Sequence, residues 1–319
     1  MLNEKNIFTN EFKKVEIENV VKEINKNGYF EFENALTNDA VSKIENDGKT
    51  KLDINQNKIN GVYWEKQYFF TNLLATSKTF YDFVTSEFVL NTCEKYLGNS
   101  FRLKALRYYE TYGGKHMQWH TDNKTDKNIA NIPGLIFIFY VSDVENGQFQ
   151  YIKGSHNWSG KKGYSDYSDD FINKNYNDKI KNFKLPKGSL IIYNTYGIHR
   201  AEPVYKKNFI RKSVFFQVDS GIDNSERIIL NTKFVNKMND KIQMFLGFGK
   251  TSDYPIYPNS SLNTLPLNKS LFYDLIKYVI YRFCKSIFNY LPKFIQRVIK
   301  KYVWKIISIL NNKIITNVW

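Results

Sequence analysis

The order of hydrophobic and polar positions divides the chain into a helical part, a β part and a second helical part. Apolar side chains recur at helical spacing over residues 12–27, and Gly28 ends that pattern. Further helical patterns cover residues 38–46 and 77–97. The N-terminal part is therefore predicted to be mostly helical, with one short strand at Tyr29–Phe32.

After residue 100 the pattern changes to short apolar or alternating runs, separated by clusters of Gly, Asn, Pro and Asp. Five such runs are predicted to be strands, at residues 101–112, 135–141, 148–152, 190–193 and 210–218. Helices followed by strands, with no helix between successive strands, favour an antiparallel sandwich or barrel over a parallel α/β fold. The polar segment 158–183 interrupts the strands, and we predict a lid or binding loop there, or otherwise an exposed excursion.

From about residue 232 the helical spacing returns. We therefore divide the chain into residues 1–231, a β domain with N-terminal helices, and residues 232–319, a basic amphipathic helical region. Pro292 is predicted to separate two helices in that region. Either these helices pack on the β domain or on each other, or they lie in the surface of an anionic membrane. No run of about 18 uncharged apolar residues occurs, so no bilayer-spanning helix is expected.

The charge of the chain is concentrated near its C-terminus. The formal net charge is +15, and residues 268–319 hold ten Lys or Arg against one Asp, a net +9. Because the basic character belongs mostly to this region, no nucleic-acid partner is expected. Cys93 and Cys284 are predicted to be free thiols in a reducing compartment. The N-terminus lacks the apolar stretch of a signal peptide, so we expect a cytoplasmic location, with peripheral contact at the inner membrane face if residues 268–319 bind lipid.

The candidate chemistry begins with the histidines, of which the chain has four. His120 and Asp122 are two residues apart, so on an extended backbone they share a face and can reach one metal ion. Such a pair alone is weak evidence, because it arises often by chance. His199, just beyond the apolar strand at 190–193, supplies a third ligand. Two His and one carboxylate form the facial triad of non-haem Fe(II) oxygenases, whose open positions bind a 2-oxo acid and then O₂.

A candidate cosubstrate anchor follows His199. Arg211 and Ser213 point to the same side of a predicted strand, while Lys212 points towards solvent. A guanidinium forms two charge-assisted hydrogen bonds with a carboxylate, so Arg211, with the Ser213 hydroxyl, is predicted to hold the distal carboxylate of 2-oxoglutarate. The alternative for Arg211 is a surface ion pair. For His156 we favour a structural role, in which it bonds backbone carbonyls, over a role as a fourth metal ligand.

Residues 27–219 resemble the phytanoyl-CoA dioxygenase family of Fe(II)/2-oxoglutarate oxygenases. The resemblance rests on motifs in the family's order: Gly28-Tyr29, His120-Thr121-Asp122, Gly154-Ser155-His156, Lys187-Gly188-Ser189, His199 and Arg211-Lys212-Ser213. It implies a mainly β fold with flanking helices, the double-stranded β-helix or cupin-like jelly roll, to which the C-terminal helices are appended. It also implies that His120, Asp122 and His199 bind iron and that Arg211 anchors 2-oxoglutarate.

The chain departs from the family pattern at two positions. Lys153 stands where Pro often precedes the Gly-Ser-His motif, and Ala201 stands where many members have Ser two residues after the distal histidine. The second difference removes one contact to 2-oxoglutarate. Related halogenases replace the carboxylate ligand by a small residue to make room for chloride, so Asp122 favours hydroxylation.

The resemblance implies a dioxygenase that hydroxylates an unactivated C–H bond and releases succinate and CO₂. The expected substrate is a small molecule, a lipid, a lipid-linked compound or a glycan. Two alternatives are a catalytically silent jelly-roll module that binds membranes or glycans, and a metal isomerase of the cupin kind. The intact set His120, Asp122, His199 and Arg211 favours the oxygenase over the silent module. An isomerase would not require Arg211 and Ser213.

Overall fold

A computed structural model describes residues 7–50, 52–53, 58–59, 62–64, 67–113, 117–122, 133–158, 167–220, 228–235, 239–247 and 269–299. The chain forms two compact units. The first comprises Met1–Gly247 with Ser252–Leu265, and the second comprises Phe248–Thr251 with Pro266–Trp319. The predicted domain boundary after residue 231 stays a prediction.

Five helices lie in the N-terminal part of the first unit. They are α1 (Ile17–Asn27), α2 (Asn38–Gly48), α3 (Leu73–Thr76), α4 (Lys78–Val84) and α5 (Glu87–Leu97). Gly28 ends α1 with a φ of 90°, and the Thr37 hydroxyl caps α2 by accepting an amide N–H of the first turn. The predicted continuous helix over 77–97 is instead two helices. The chain breaks because Ser86 is extended and its hydroxyl caps α5 by accepting from the Val89 amide.

The strands form three sheets, all of whose described pairings are antiparallel. Their bounds are β1 (Tyr29–Phe32), β2 (Leu52–Asp53), β3 (Lys58–Ile59), β4 (Val62–Trp64), β5 (Gln67–Phe70), β6 (Phe101–Thr111), β7 (Gly134–Tyr140), β8 (Phe149–Ile152), β9 (Ile180–Phe183), β10 (Leu190–Asn194), β11 (His199–Ala201) and β12 (Arg211–Ser220). The larger sheet has the order β1-β10-β7-β12-β6-β5-β4, the smaller has the order β11-β8-β9, and β2 pairs with β3. The five predicted strands correspond to β6, β7, β8, β10 and β12 within one residue at each end, except that β12 extends two residues further.

The larger sheet separates two apolar layers, because successive side chains of a strand point to opposite faces. On one face Phe137 stacks on Phe216 with 4.6 Å between ring centroids, and Phe83 of α4 packs against Phe216 at 5.8 Å. The opposite face packs with the smaller sheet. The buried cluster on that side consists of Ile136, Ile138, Tyr140, Val144, Phe149, Tyr151, Phe183, Leu185, Ile191 and Tyr193. Two antiparallel sheets with helices on the outer face of one confirm the predicted jelly-roll class.

The described part of the predicted lid is folded. Residues 167–183 contain α6 (Asp169–Tyr176) and the edge strand β9, which pairs with β8. Ile172 of α6 is buried with Trp119, Ile152 and Ile198. Since Trp119 and Ile198 directly precede the two predicted histidine ligands, this insertion covers the outside of the predicted metal site.

Helical structure returns at the C-terminal end, as the sequence predicts. In the first unit, α7 (Asp240–Phe245) follows the β domain, and Phe245 packs near Phe101 of β6 with 6.1 Å between ring centroids. In the second unit, α8 (Lys269–Tyr290) is followed after Pro292 by a helical segment at 293–299. The predicted helix break at Pro292 is therefore confirmed, and residues 300–319 lie outside the described residues. None of the described helices has the length and apolar composition needed to cross a bilayer.

Candidate metal centre

His120 and His199 face each other across an isolated antiparallel β-bridge. The backbone N–H of His120 donates to the carbonyl of His199 at 3.0 Å, and the reciprocal hydrogen bond measures 2.9 Å. Directly opposed residues on an antiparallel pair project side chains to the same side, and the two imidazole centroids are 4.4 Å apart. The Asp122 amide donates to the Thr195 carbonyl at 3.1 Å, which holds the carboxylate beside this pair.

The three predicted ligands are brought together. His120, Asp122 and His199 each offer one ligand atom, and these atoms lie within 4.8 Å of one another. The Oδ2 atom of Asp122 lies 3.1 Å from Nε2 of His199. Two imidazoles and one carboxylate are the donor set of the facial triad, which leaves other positions of a bound metal open. The residues present therefore fit an Fe(II) ion.

Both imidazoles are oriented by backbone carbonyls. The Nδ1 atom of His120 lies 2.8 Å from the Gln118 carbonyl, and Nδ1 of His199 lies 3.0 Å from the Gly197 carbonyl. A carbonyl only accepts, so each Nδ1 carries a proton, and Nε2 is the atom of each neutral ring that can bind a metal. Gly197 is required here because an added Cβ would overlap the phenol ring of Tyr151. Such partners fix the ring orientation that a metal ligand needs.

Electrostatics favour the protonation states that bind metal. Burial and, after it, the neighbouring His199 lower the pKa of His120 to about 4 against the opposing effect of Asp122, so the His120 imidazole is neutral at pH 7. Burial alone would raise the pKa of Asp122. Attraction to His199 and hydrogen bonds from His199 and Tyr193 outweigh that effect and lower the pKa of Asp122 to about 2. Asp122 is therefore an anionic ligand at pH 7.

Tyr193 of β10 belongs to the site, although its sequence position indicated only a strand residue. Its hydroxyl donates to Oδ2 of Asp122 at 3.2 Å and lies 3.4 Å from Nε2 of His199. Burial and the Asp122 carboxylate raise the pKa of Tyr193 well above its usual range, so the phenol keeps its proton and remains a donor. The sequence feature that could have identified Tyr193 is its inward position in the strand that precedes His199.

Arg211 is buried in the interior of the domain, not at the surface. It faces Thr111 across the β12–β6 pairing, and Nη2 donates to the Thr111 hydroxyl at 3.3 Å. The Nη1 atom donates to the carbonyls of Gly147 and Glu202. Among the described residues, the hydrogen-bond partners of Arg211 are thus neutral oxygens. Burial lowers the pKa of the guanidinium, and the phenol of Tyr140 opposes that shift.

Ser213 and His156 are the other two residues for which the sequence suggested a role. Ser213 is buried on the same face of β12 as Arg211, opposite Tyr109 of β6 and Tyr140 of β7. His156 lies apart from the metal ligands, and its Nε2 atom is 3.0 Å from the Asn25 carbonyl. The predicted structural role of His156, bonding a backbone carbonyl, is confirmed.

A second residue outside the sequence prediction, Arg200, holds the outer side of the histidine pair. Its guanidinium carbon lies 4.3 Å from the centroid of the Trp119 ring. The Nε atom donates to Gln150 at 2.7 Å, Nη2 donates to Glu202 at 3.2 Å, and Nη1 pairs with Asp169 of α6. Because Trp119 precedes His120 and Arg200 follows His199, this contact ties the two ligand-bearing segments together.

Comparison with known proteins agrees with this geometry. The family model described as phytanoyl-CoA dioxygenase (PhyH) matches residues 24–212, which is more than half of the chain. HygX from Streptomyces hygroscopicus, solved with nickel, 2-oxoglutarate and hygromycin B, has a TM-score of 0.50 and 13% identity, and the match covers 66% of this chain and 89% of that chain. A second HygX structure, with nickel and 2-oxoglutarate, has a TM-score of 0.50, 12% identity and coverages of 68% and 93%.

These solved structures show a shared fold. No curated protein sequence matches the chain. The family match and the His-Asp-His donor set together identify an enzyme, an oxygenase that depends on iron and 2-oxoglutarate. The chain therefore belongs to the phytanoyl-CoA dioxygenase family.

Proposed function

We propose that this oxygenase hydroxylates an unactivated C–H bond of a small-molecule, lipid or glycan-type substrate. The observation that carries the proposal is the pairing of a facial-triad donor set with a buried arginine whose described partners are neutral oxygens. A buried cation without a carboxylate partner is costly, so the interior favours an anionic ligand such as the distal carboxylate of 2-oxoglutarate.

One side chain, Tyr109, is near groups in both parts of the proposed site. Tyr109 of β6 is close enough to Tyr193 to raise the pKa of that phenol, and close enough to Arg211 to oppose the effect of burial on the guanidinium. Tyr193 in turn donates to Asp122. Tyrosine hydroxyls thus lie near both parts of the proposed site, which suits a cosubstrate with a polar group at each end.

Each group of residues in the site has its own proposed role. His120, Asp122 and His199 would hold iron, and Arg211, with Ser213 beside it, would bind the distal carboxylate. When bound, iron would supply the oxidising chemistry, in which one atom of O₂ would enter succinate as 2-oxoglutarate loses CO₂ and the other would become the new hydroxyl of the substrate. The aromatic rings that surround His199, those of Phe149, Tyr151 and Tyr193, would exclude water from this reaction.

Two observations support hydroxylation of a small organic substrate. Asp122 occupies the position that halogenases leave open for chloride, so the carboxylate favours hydroxylation. HygX, which shares the fold, has been solved with hygromycin B beside 2-oxoglutarate, so this fold accommodates a small molecule together with the cosubstrate.

The first test is spectroscopic. Fe(II) and 2-oxoglutarate are added to the purified apoprotein without oxygen, and the weak visible charge-transfer band of the chelate is titrated. We expect the band in the wild type, its loss or alteration in Asp122→Ala, and an apparent 2-oxoglutarate dissociation constant raised about 100-fold in Arg211→Ala, since a buried charge-assisted pair is lost.

The matched control is Lys212→Ala. Lys212 adjoins Arg211 but points to the other face of β12, where it pairs with Glu45 of α2. Its substitution should leave the 2-oxoglutarate titration unchanged. Iron binding without a chelate band would contradict the cosubstrate assignment and favour a cupin-type metalloenzyme. No iron binding at all would favour the silent binding module.

A further inference from the structure

The second compact unit presents a continuous row of exposed apolar side chains, here called the apolar stripe. It consists of Ile276, Val279, Ile280, Phe283, Ile287 and Tyr290 on α8. Their exposed fractions run from 39% at Ile276 to 89% at Tyr290. At about 100° per residue these positions fall within an arc of roughly 100°, so they form one face of the helix.

The helical segment at 293–299 continues the same character. Phe294 and Val298 lie one turn apart, and they are 68% and 54% exposed. Scattered exposed apolar residues are normal on a protein surface, but a contiguous exposed stripe along a helix indicates a surface that meets a partner. The polar residues Ser286 and Asn289 are exposed on α8 outside this arc.

The charges around the stripe indicate the chemistry of the partner. Residues 269–299 contain six Lys or Arg and a single acid, Asp274. Arg282, Lys293 and Arg297 are exposed. A cationic amphipathic helix of this kind is complementary to anionic lipid headgroups, where its apolar face enters the headgroup–acyl boundary. Tyr290 suits headgroup depth because its ring is apolar and its hydroxyl is polar.

A second copy of the chain fits the stripe less well. Pairing two identical helices along their apolar faces would bring a net positive charge on each helix against the same charge on the other, with one acid per copy to offset it. An anionic membrane meets the apolar side chains and the cations together. A spanning orientation is disfavoured, since none of the described helices could cross a bilayer.

We infer that residues 269–299 bind in the plane of an anionic lipid membrane, with the apolar stripe buried among the headgroups and Arg282, Lys293 and Arg297 against lipid phosphates. This inference rests on the exposure and charge of residues 269–299 and not on the oxygenase assignment of the first unit. The inference therefore stands or falls separately from the proposed function.

The test is a flotation assay of the full-length protein with vesicles of phosphatidylcholine alone or with phosphatidylglycerol added. We expect binding to the anionic vesicles, weak or no binding to the neutral ones, and weaker binding as salt rises, because screening shortens the reach of the charges. Phe283→Asp should reduce the partition coefficient at least about tenfold, since an apolar anchor becomes an anion. Arg282→Gln should reduce it about fivefold.

The matched control is Asn289→Asp, which adds the same charge as Phe283→Asp but outside the stripe, and which should reduce the binding only about fivefold, as expected for one unit of charge. Circular dichroism establishes that each variant is folded. Equal binding to neutral and anionic vesicles, or equal loss in both Asp variants, would overturn the inference. So would an absence of vesicle binding accompanied by a dimer in sedimentation that Phe283→Asp converts to monomer, since the stripe would then be a self-association surface.

Discussion

The phenol of Tyr193 illustrates how a single residue sets the properties of the ligands around it. Its hydroxyl donates to Asp122 Oδ2, and that carboxylate oxygen also lies 3.1 Å from His199 Nε2. The phenol therefore restricts the orientation of Asp122 without supplying a ligand of its own. Partners of this kind contribute to metal affinity because they hold the ligand in the geometry that the ion requires.

Replacing Tyr193 by Phe removes this donor and keeps the ring. We expect the dissociation constant for Fe(II) to rise about tenfold, because Asp122 loses a hydrogen bond that orients it. Anaerobic competition with a metal-binding dye measures the change. Tyr205→Phe is the control, since Tyr205 is 63% exposed. Unchanged iron affinity in Tyr193→Phe would mean that the β-bridge alone positions the carboxylate.

The bridge between the His120 and His199 segments and the insertion at α6 act together as structural elements. The bridge turns both histidines towards the interior. On its outer side, the neighbouring residues Trp119 and Arg200 form a cation–π contact. Arg200 also reaches Asp169 at the first turn of α6. Through Arg200, the described part of the insertion supports the ligand pair from outside.

Arg200 is therefore expected to be a positioning residue. In Arg200→Gln, the cation–π contact and the ion pair to Asp169 are lost, and we expect the chelate band to shift and Fe(II) affinity to fall about tenfold. Asp169→Asn removes only the α6 partner and should have a smaller effect. Arg200→Lys should restore little, because an ammonium cannot form the same set of hydrogen bonds. A loss of thermal stability with an unshifted band would assign Arg200 a purely structural role.

Across the whole molecule, the sequence was sufficient to predict features of the site that depend on residues near one another in the chain. His120 and Asp122 are two residues apart, and alternation along β12 gave the inward direction of Arg211. Tyr193 and Arg200 were not predicted as site residues, because they form hydrogen bonds with residues from distant segments. Arg200 meets Gln150, and Tyr193 meets Asp122 across 71 residues of sequence. The helix break at Ser86 was also not predicted, because the helical spacing of apolar residues continues through this cap.

The two sheets contribute different parts of the proposed site, which has a consequence for stability. His199 lies in the smaller sheet and Arg211 in the larger one. Iron with 2-oxoglutarate would thus connect both sheets. Each ligand that binds only the folded state stabilises it, by about 2.7 kcal/mol when its concentration is 100 times its dissociation constant.

We therefore expect anaerobic Fe(II) to raise the Tm of the wild type and 2-oxoglutarate to raise it again, but only when metal is present. In Asp122→Ala both increments should shrink, because the metal site is incomplete. In Arg211→Ala the metal increment should remain and the 2-oxoglutarate increment should largely disappear. A 2-oxoglutarate increment of equal size without metal would show that the cosubstrate binds elsewhere, since the proposed site requires iron and Arg211 to act on the same molecule.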